Sequence, residues 1–294
     1  MNKRPFKWLL LAAIAVACIF VTVSTRNSHS DSLLMRVQRD GVLRIGYAIE
    51  APYAFLDAEG VSTGLDIEVA KRIAARLSIP RLEWCQTSFG SLIQELESGR
   101  FDVIVAGLFI TPERAKRIRY SEPTFHVRQA MLVQKGNPLA LHAYEDVLAK
   151  PQARVAVMQG SIEQDIVSRL GVPAEQVLVV PDALTGRLAV ETGLAACLAL
   201  SSPTVDYMAR QQSLGLTEIA APFTQPEAGR VANVGYGAVA FRKSDEDFCR
   251  AWNLQLKEFI GGAEHKELLN KFGLNEDVLP GTVSTASLLP DVKP

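Results

Sequence analysis

FDVIVAGLFITPERAKR, residues 101–117, is the stretch on which the fold turns. FDVIVAG (101–107) is a short unbroken apolar run, the pattern of a strand buried on both faces. Thr111 and Pro112 then supply a side-chain oxygen at a cap position and a proline at the first helical position, which together predict a helix start. A buried strand that runs into a helix in this way is half of a βα unit, and such units place helix starts at the carboxyl ends of a mainly parallel sheet. Arg114 falls in the first turn of that helix. A cation beside the partial positive charge of a helix start is unfavourable unless an anion joins it, so the stretch predicts an anion site with Phe109 at its rim.

Outward from this unit the same alternation repeats. VLRIGY (42–47) predicts a strand, and a helix is predicted to begin at Asp66, with Ile67, Ala70, Ile73, Ala74 and Leu77 on its buried face. Ser88 predicts a cap for a helix that buries Leu92, Ile93 and Leu96 and stops at Gly99. MLVQKGNP (131–138) predicts a strand that leaves this unit. A second series follows: RVAVM (154–158), a capping box SIEQ (161–164), VLVV (177–180), a helix over 182–192, LAACLAL (194–200) and a helix start at Ser202-Pro203. GYGAVAF (235–241) predicts a return strand, followed by helices over 244–260 and up to Gly273. Two series with a crossing near 131–137 and a return near 232–236 predict two lobes around one crevice: 39–133 with 235–274, and 134–234. The Pro- and Gly-rich tail, 275–294, is predicted to be loose.

Composition removes several function classes. Lys and Arg total 31 against 32 Asp and Glu, a formal net charge of −1, so no whole-protein field favours nucleic acid and any ligand must be read by a local site. Residues 1–30 are different: a basic MNKRPFK precedes an apolar run from Trp8 to Val23 and a polar flank, the order of a secretory signal, so a periplasmic location is predicted. AVAC (15–18) resembles a lipoprotein cleavage box, but the apolar run continues past Cys18, and an ordinary cleaved signal is the expectation. Cys85, Cys197 and Cys249 are widely spaced and predict buried thiols, not a disulfide framework. The histidines are isolated, and GxxxxGK, HExxH and GxSxG are absent from the sequence, so neither a metal nor a cofactor is expected.

LRIGYAIEAPYAF, GLDIEVA, FGSLIQELESGRFDVIVAG, ITPERAKRIRYSEPT and GYGAVAFRK, in this order over roughly residues 39–274, resemble the landmarks of the bacterial extracellular solute-binding proteins, family 3, the binding proteins of ABC importers. The resemblance implies an α/β two-lobed clamp of the periplasmic-binding-protein type II, with two mainly parallel sheets joined by two hinge strands. It also implies a membrane permease as partner. Within that family EAPYAF, FGSLI, GLFITPER and SEPT, with KGNP and LHAYED, look most like the ectoine and hydroxyectoine binders. That likeness implies a site in which Glu50, Tyr53, Phe89, Phe109 and Arg114 hold a compact zwitterion. Tyr53 stands where phenylalanine is expected. Gly107 and Phe109 occupy a segment in which amino acid binders often carry hydroxyls, and Ser201 occupies the position of their ammonium-binding aspartate.

Each residue has its own chemistry. The fork of Arg114 grips a carboxylate bidentately, three rings give a delocalised cation about 0.5 to 2 kcal/mol each, and Glu50 accepts N–H bonds from that cation. Gly160 and Ser161, at a helix start of the second lobe, are expected to present backbone N–H groups, with Ser201 beside them. Lys116, Arg117 and Arg119 read as solvent-facing, Ser202 as the cap before Pro203, and Asp66 and Glu68 as capping and dipole residues. Three alternatives stay open: a polar or cationic amino acid as ligand, a periplasmic dehydratase of the cyclohexadienyl dehydratase type, and a sensory input domain. In the second, Glu50 would be the sole acid–base candidate, without a partner. The third would need a further membrane or signalling segment after the clamp, which the sequence to residue 294 does not contain.

Overall fold

The structure is a computed structural model that describes residues 32–211, 215–226 and 235–291. The predicted export segment, with its AVAC box, lies outside the described residues. Among those described, no helix is long and apolar enough to cross a membrane.

Two five-stranded sheets form the centres of two lobes. In the first, Arg81–Gln86, Val42–Tyr47 and Val103–Ile104 run parallel, then Ala240–Arg242 lies antiparallel between Val103–Ile104 and Ile118–Tyr120. In the second, Val177–Val180, Val155–Met158 and Cys197–Ser201 run parallel, then Gln129–Gln134 lies antiparallel between Cys197–Ser201 and Thr217–Ile219. The two patterns are the same, and the antiparallel fourth strand of each sheet is the one that arrives from the other lobe.

The crossing is therefore earlier than the apolar run at 131–138 predicts. Gln129–Gln134 already belongs to the second sheet. Phe125–His126 and Tyr236–Gly237 pair antiparallel as the ribbon between lobes, extended by Val127 N–H donating to Gly235 O at 2.8 Å and by the stacked His126 and Tyr236 rings. Apolar content marks a strand as buried without saying in which sheet, and this accounts for the shifted boundary.

Helix Leu65–Arg76 covers the first sheet with Ile67, Ala70, Ile73 and Ala74, as its spacing predicts. Trp252, Phe248 and Phe241 pack as a ring cluster behind the return strand. The helix begins after Gly64 at φ +125°, where a Cβ would lie 2.3 Å from Tyr53 O, so only glycine fits. The tail is held as far as residue 291. Thr285 of the short helix Thr285–Leu288 donates from N–H to Glu122 Oε2 and from Oγ1 to Ser121 O, and Leu288 is buried. Its prolines and glycines shape turns while its leucines anchor it, so the expectation of a loose tail is corrected over the described residues. Cys85, Cys197 and Cys249 are free thiols, and burial pushes Cys197 and Cys249 up to about 12. No metal-binding group of His, Cys, Asp and Glu occurs among the described residues.

Candidate functional site between the lobes

A small cavity lies where the lobes meet. It is lined by Glu50, Tyr53, Phe89, Gly107, Phe109 and Arg114 from the first lobe and by Met158, Ser161, Ile162, Glu163 and Ser201 from the second. Eight of the nine residues singled out in the sequence share this wall, and Gly160, the ninth, meets it through Arg114.

Glu50 and Tyr53 sit on one tight turn: Glu50 N–H donates to Ala54 O at 2.8 Å and Ala54 N–H donates back to Glu50 O at 3.0 Å. Gly107, at φ +62°, lies three residues past the strand Val103–Ile104, which is shorter than the apolar run 101–107 predicts, and its N–H donates to Asp66 Oδ2 at 2.7 Å. The Asp66 carboxylate therefore holds the binding loop from behind. The capping role predicted for it is incorrect, because the side chain points into the lobe and finds its partner 41 residues away. Glu68 pairs with Lys71 at 2.8 Å. Gly107 also sits where a Cβ would lie 2.9 Å from the buried Tyr53 ring. Gly107→Ala is expected to destabilise the protein by about 2 kcal/mol and to weaken ligand binding, since a strained φ and a displaced ring act together. Thermal melts and calorimetry on the variant check it; an unchanged melt and affinity would refute the packing argument.

Thr111 caps helix Pro112–Ala115 as predicted, its Oγ1 accepting from Arg114 N–H at 3.2 Å. The helix is one turn long and contributes little field, so the anion-binding capacity lies in the guanidinium itself. That guanidinium donates from Nη1 to Phe109 O at 2.9 Å and from Nη2 across the cleft to Gly160 O at 2.8 Å, with its carbon 5.6 Å from the centre of the Phe89 ring. Phe89 therefore stacks on the arginine. Tyr53 stacks on Phe125 at 4.9 Å between ring centres, and Phe109 meets the same Phe125 edge-on at 6.1 Å. Phe125, which directly follows the SEPT motif and was not singled out, fixes two of the three rings. Lys116, Arg117 and Arg119 pair with Glu113, Glu97 and Glu246 at the surface.

The second lobe departs from expectation in two places. Ser161 N–H donates to Met158 O at 3.0 Å and Gly160 N–H donates to Gln164 Oε1 at 2.8 Å, so neither is free for a ligand. Ser161 Oγ accepts from Gln164 N–H, as a cap does, and what Gly160 offers the cleft is its carbonyl. Gly160 and Gly90 lie so close that a Cβ on Gly160 would sit 3.1 Å from Gly90 Cα, which is how the two backbones approach. The other departure is Glu163, a buried carboxylate in the cavity wall that the capping-box reading of SIEQ passed over.

Further hydrogen bonds close the lobes on one another. Tyr53 Oη and Ser201 Oγ are 3.0 Å apart, Ser201 Oγ and Thr204 Oγ1 3.2 Å, and Thr204 Oγ1 donates to Glu50 Oε1 at 2.8 Å. The hydroxyl that tyrosine adds at position 53 is thus the link to Ser201. Burial pushes Glu50 up to about 8, with the negative charge of Glu163 adding to the rise, and burial pushes Glu163 up to about 7. Asp66, also raised by burial to about 7, is restrained by its bond from Gly107. Glu50 consequently does not stand alone as a buried acid in the cleft, contrary to the sequence-based expectation. The arrangement presents one fixed cation, several acceptors and aromatic walls to a small solute.

Residues 43–275 match the family model described as bacterial extracellular solute-binding proteins, family 3. The chain is 35% identical over 242 residues, 82% of this chain and 79% of the relative, to the "Probable amino-acid ABC transporter periplasmic-binding protein y4tE" of Sinorhizobium fredii. Among solved structures, EhuB in complex with hydroxyectoine superposes with a TM-score of 0.79 at 28% identity, covering 87% of this chain and 97% of that one. The ancestral amino acid-binding protein AncCDT-1, a precursor of cyclohexadienyl dehydratase, superposes with a TM-score of 0.71 at 28% identity, covering 82% and 99%. All three share the two-lobed α/β clamp or its family sequence.

Proposed function

We infer the function from one premise: the chain belongs to the bacterial extracellular solute-binding proteins, family 3. It is a periplasmic solute-binding protein that delivers an amino acid or related small solute to an ABC importer permease. The ligand we propose is a compact zwitterion, ectoine or hydroxyectoine. The observation that carries this is the convergence of Arg114, buried Glu50 and the Tyr53, Phe89 and Phe109 rings on one cavity between the lobes. Arg114 would take the carboxylate, Glu50 would accept from the ring N–H groups, and the rings would border the delocalised cation. Likeness to a hydroxyectoine complex supports the same ligand. Closure follows as a population shift, because only the closed clamp contacts ligand from both lobes.

An amino acid ligand is the second reading, supported by the curated relative of S. fredii. Isothermal titration of the mature domain with ectoine, hydroxyectoine and a panel of amino acids separates the two. Saturable heat with either ectoine is expected. Silence with both, alongside saturation by an amino acid, would leave the class and remove the ligand. A dehydratase reading draws on the likeness to AncCDT-1 and on the pair of buried acids. It predicts an aromatic product absorbing in the near ultraviolet when a cyclohexadienyl acid is added, whereas the binding reading predicts none.

A further inference from the structure

We propose that Glu163 and Glu50, contributed by opposite lobes to one cavity, form a two-carboxylate cradle for a planar, charge-delocalised N–H cation, and that ligand entry expels a proton that the pair holds in the ligand-free protein. The inference rests on the functional reading above for its ligand class and adds the second acid and the proton.

The argument starts from charge. Glu50 and Glu163 are 6% and 4% exposed, and both line the cavity. Arg114 is the single cation among the described lining residues, and it is already engaged by two carbonyl oxygens. Among the described residues the other titratable groups around the pair are Asp66, Tyr53 and Tyr144, all buried, and none of these supplies positive charge. Two ionised carboxylates with one guanidinium leave an uncompensated negative charge out of water, which is expensive, so in the ligand-free protein the pair keeps one acid protonated. The raised values of both acids agree with this. Glu50 has Thr204 as a fixed donor, and Glu163 lies at the helix start beside Ser161. An ammonium carries its N–H groups on a single nitrogen, so it meets two carboxylates only where their oxygens converge on that one atom. An amidinium or guanidinium, with N–H groups on two edges, can serve both. Its charge then replaces the proton, which passes to the buffer. The bound state holds a ligand carboxylate against Arg114 and the ligand cation between two carboxylates.

Linkage gives the sign. While one proton leaves per ligand bound, affinity rises by up to about tenfold per pH unit and levels off once the acids ionise unaided. The test is calorimetry with ectoine and with L-arginine, two monocarboxylates carrying such a cation, in buffers of different ionisation heat between pH 6 and 8. For whichever probe saturates, release of about half to one proton near pH 7 is expected, falling below about half of the wild-type value in Glu163→Gln. The wild-type measurement stands without the variant, should that variant fold poorly. Binding with no buffer dependence, or with release undiminished in a folded Glu163→Gln, overturns the cradle. If ectoine is the probe that behaves so, the functional reading survives. Release with L-arginine alone upholds the cradle and removes the ectoine reading. Saturation by neither probe, alongside saturation by another amino acid, overturns both.

Discussion

Arg114→Ala is expected to weaken binding of a carboxylate-bearing ligand on the order of 100-fold, about 3 kcal/mol, because truncating one partner of a buried, hydrogen-bonded charge pair leaves the other unpaired. Two roles are lost at once. The guanidinium is the one cation of the cavity wall among the described residues, and its Nη2 bond to Gly160 O ties the lobes together. Loss of the inter-lobe tie should appear mainly in the dissociation rate, since closure governs escape more than encounter. Stopped-flow measurement with the intrinsic tryptophan signal, beside equilibrium titration, resolves the two. Arg117→Ala serves as the control, its side chain being paired with Glu97 at the surface. An affinity for Arg114→Ala within about threefold of wild type would mean that the ligand carboxylate lies elsewhere.

What the sequence made legible was local. Thr111 and Pro112 announce a helix start by their own chemistry, and the structure has Thr111 capping Arg114 N–H. FDVIVAG is buried by its own composition, and Leu65–Arg76 buries the face its spacing marks. The cavity residues were reached because a run of ordered motifs resembles a family, not because any one residue was diagnostic. What stayed illegible was partnership over distance. Asp66 in the first turn of a helix fits dipole complementarity equally well whether or not Gly107, 41 positions on, donates to it. Glu163 sits inside a valid capping box, and nothing in SIEQ distinguishes a solvated glutamate from one buried in a cleft. Thr204 and Glu50, 154 positions apart, carry no mutual signal at all. The N–H groups of Gly160 and Ser161 failed as ligand donors for the converse reason: a helix start has donors by rule, but local acceptors at Met158 and Gln164 had already taken them.

The largest stability effect is expected away from the cleft, at Asp102, the second residue of the stretch that decides the fold. Its side chain is fully buried and forms ion pairs with three arginines: Arg36 of the first described helix at 2.5 Å, Arg44 of the first strand at 2.7 Å and Arg242 of the return strand at 3.4 Å. Arg44 N–H donates to it as well, at 3.0 Å. One carboxylate thereby fastens the chain's entry, the sheet centre and the strand that comes back from the second lobe. Asp102→Ala would leave three like charges converging on a hole; each arginine is partly solvated, so the cost is placed at about 3 kcal/mol, the lower part of the range for breaking a buried pair. For a domain of this size that corresponds to a fall in melting temperature of about 6 to 12 °C. The pH dependence supplies a check that a simple cavity would fail. Burial alone would raise the Asp102 pKa, but the Arg44 hydrogen bonds and the Arg36 ion pair outweigh it and hold the carboxyl below its ordinary value. A depressed native pKa contributes stability that is present above the unfolded value, about 3.9, and is lost as pH falls through the native one. Wild type and Asp102→Ala should therefore differ most near neutrality and converge in acid, in denaturant melts run at both. A gap that stays constant with pH would mean that Asp102 acts by filling space, and that the three arginines take their counter-charge from solvent.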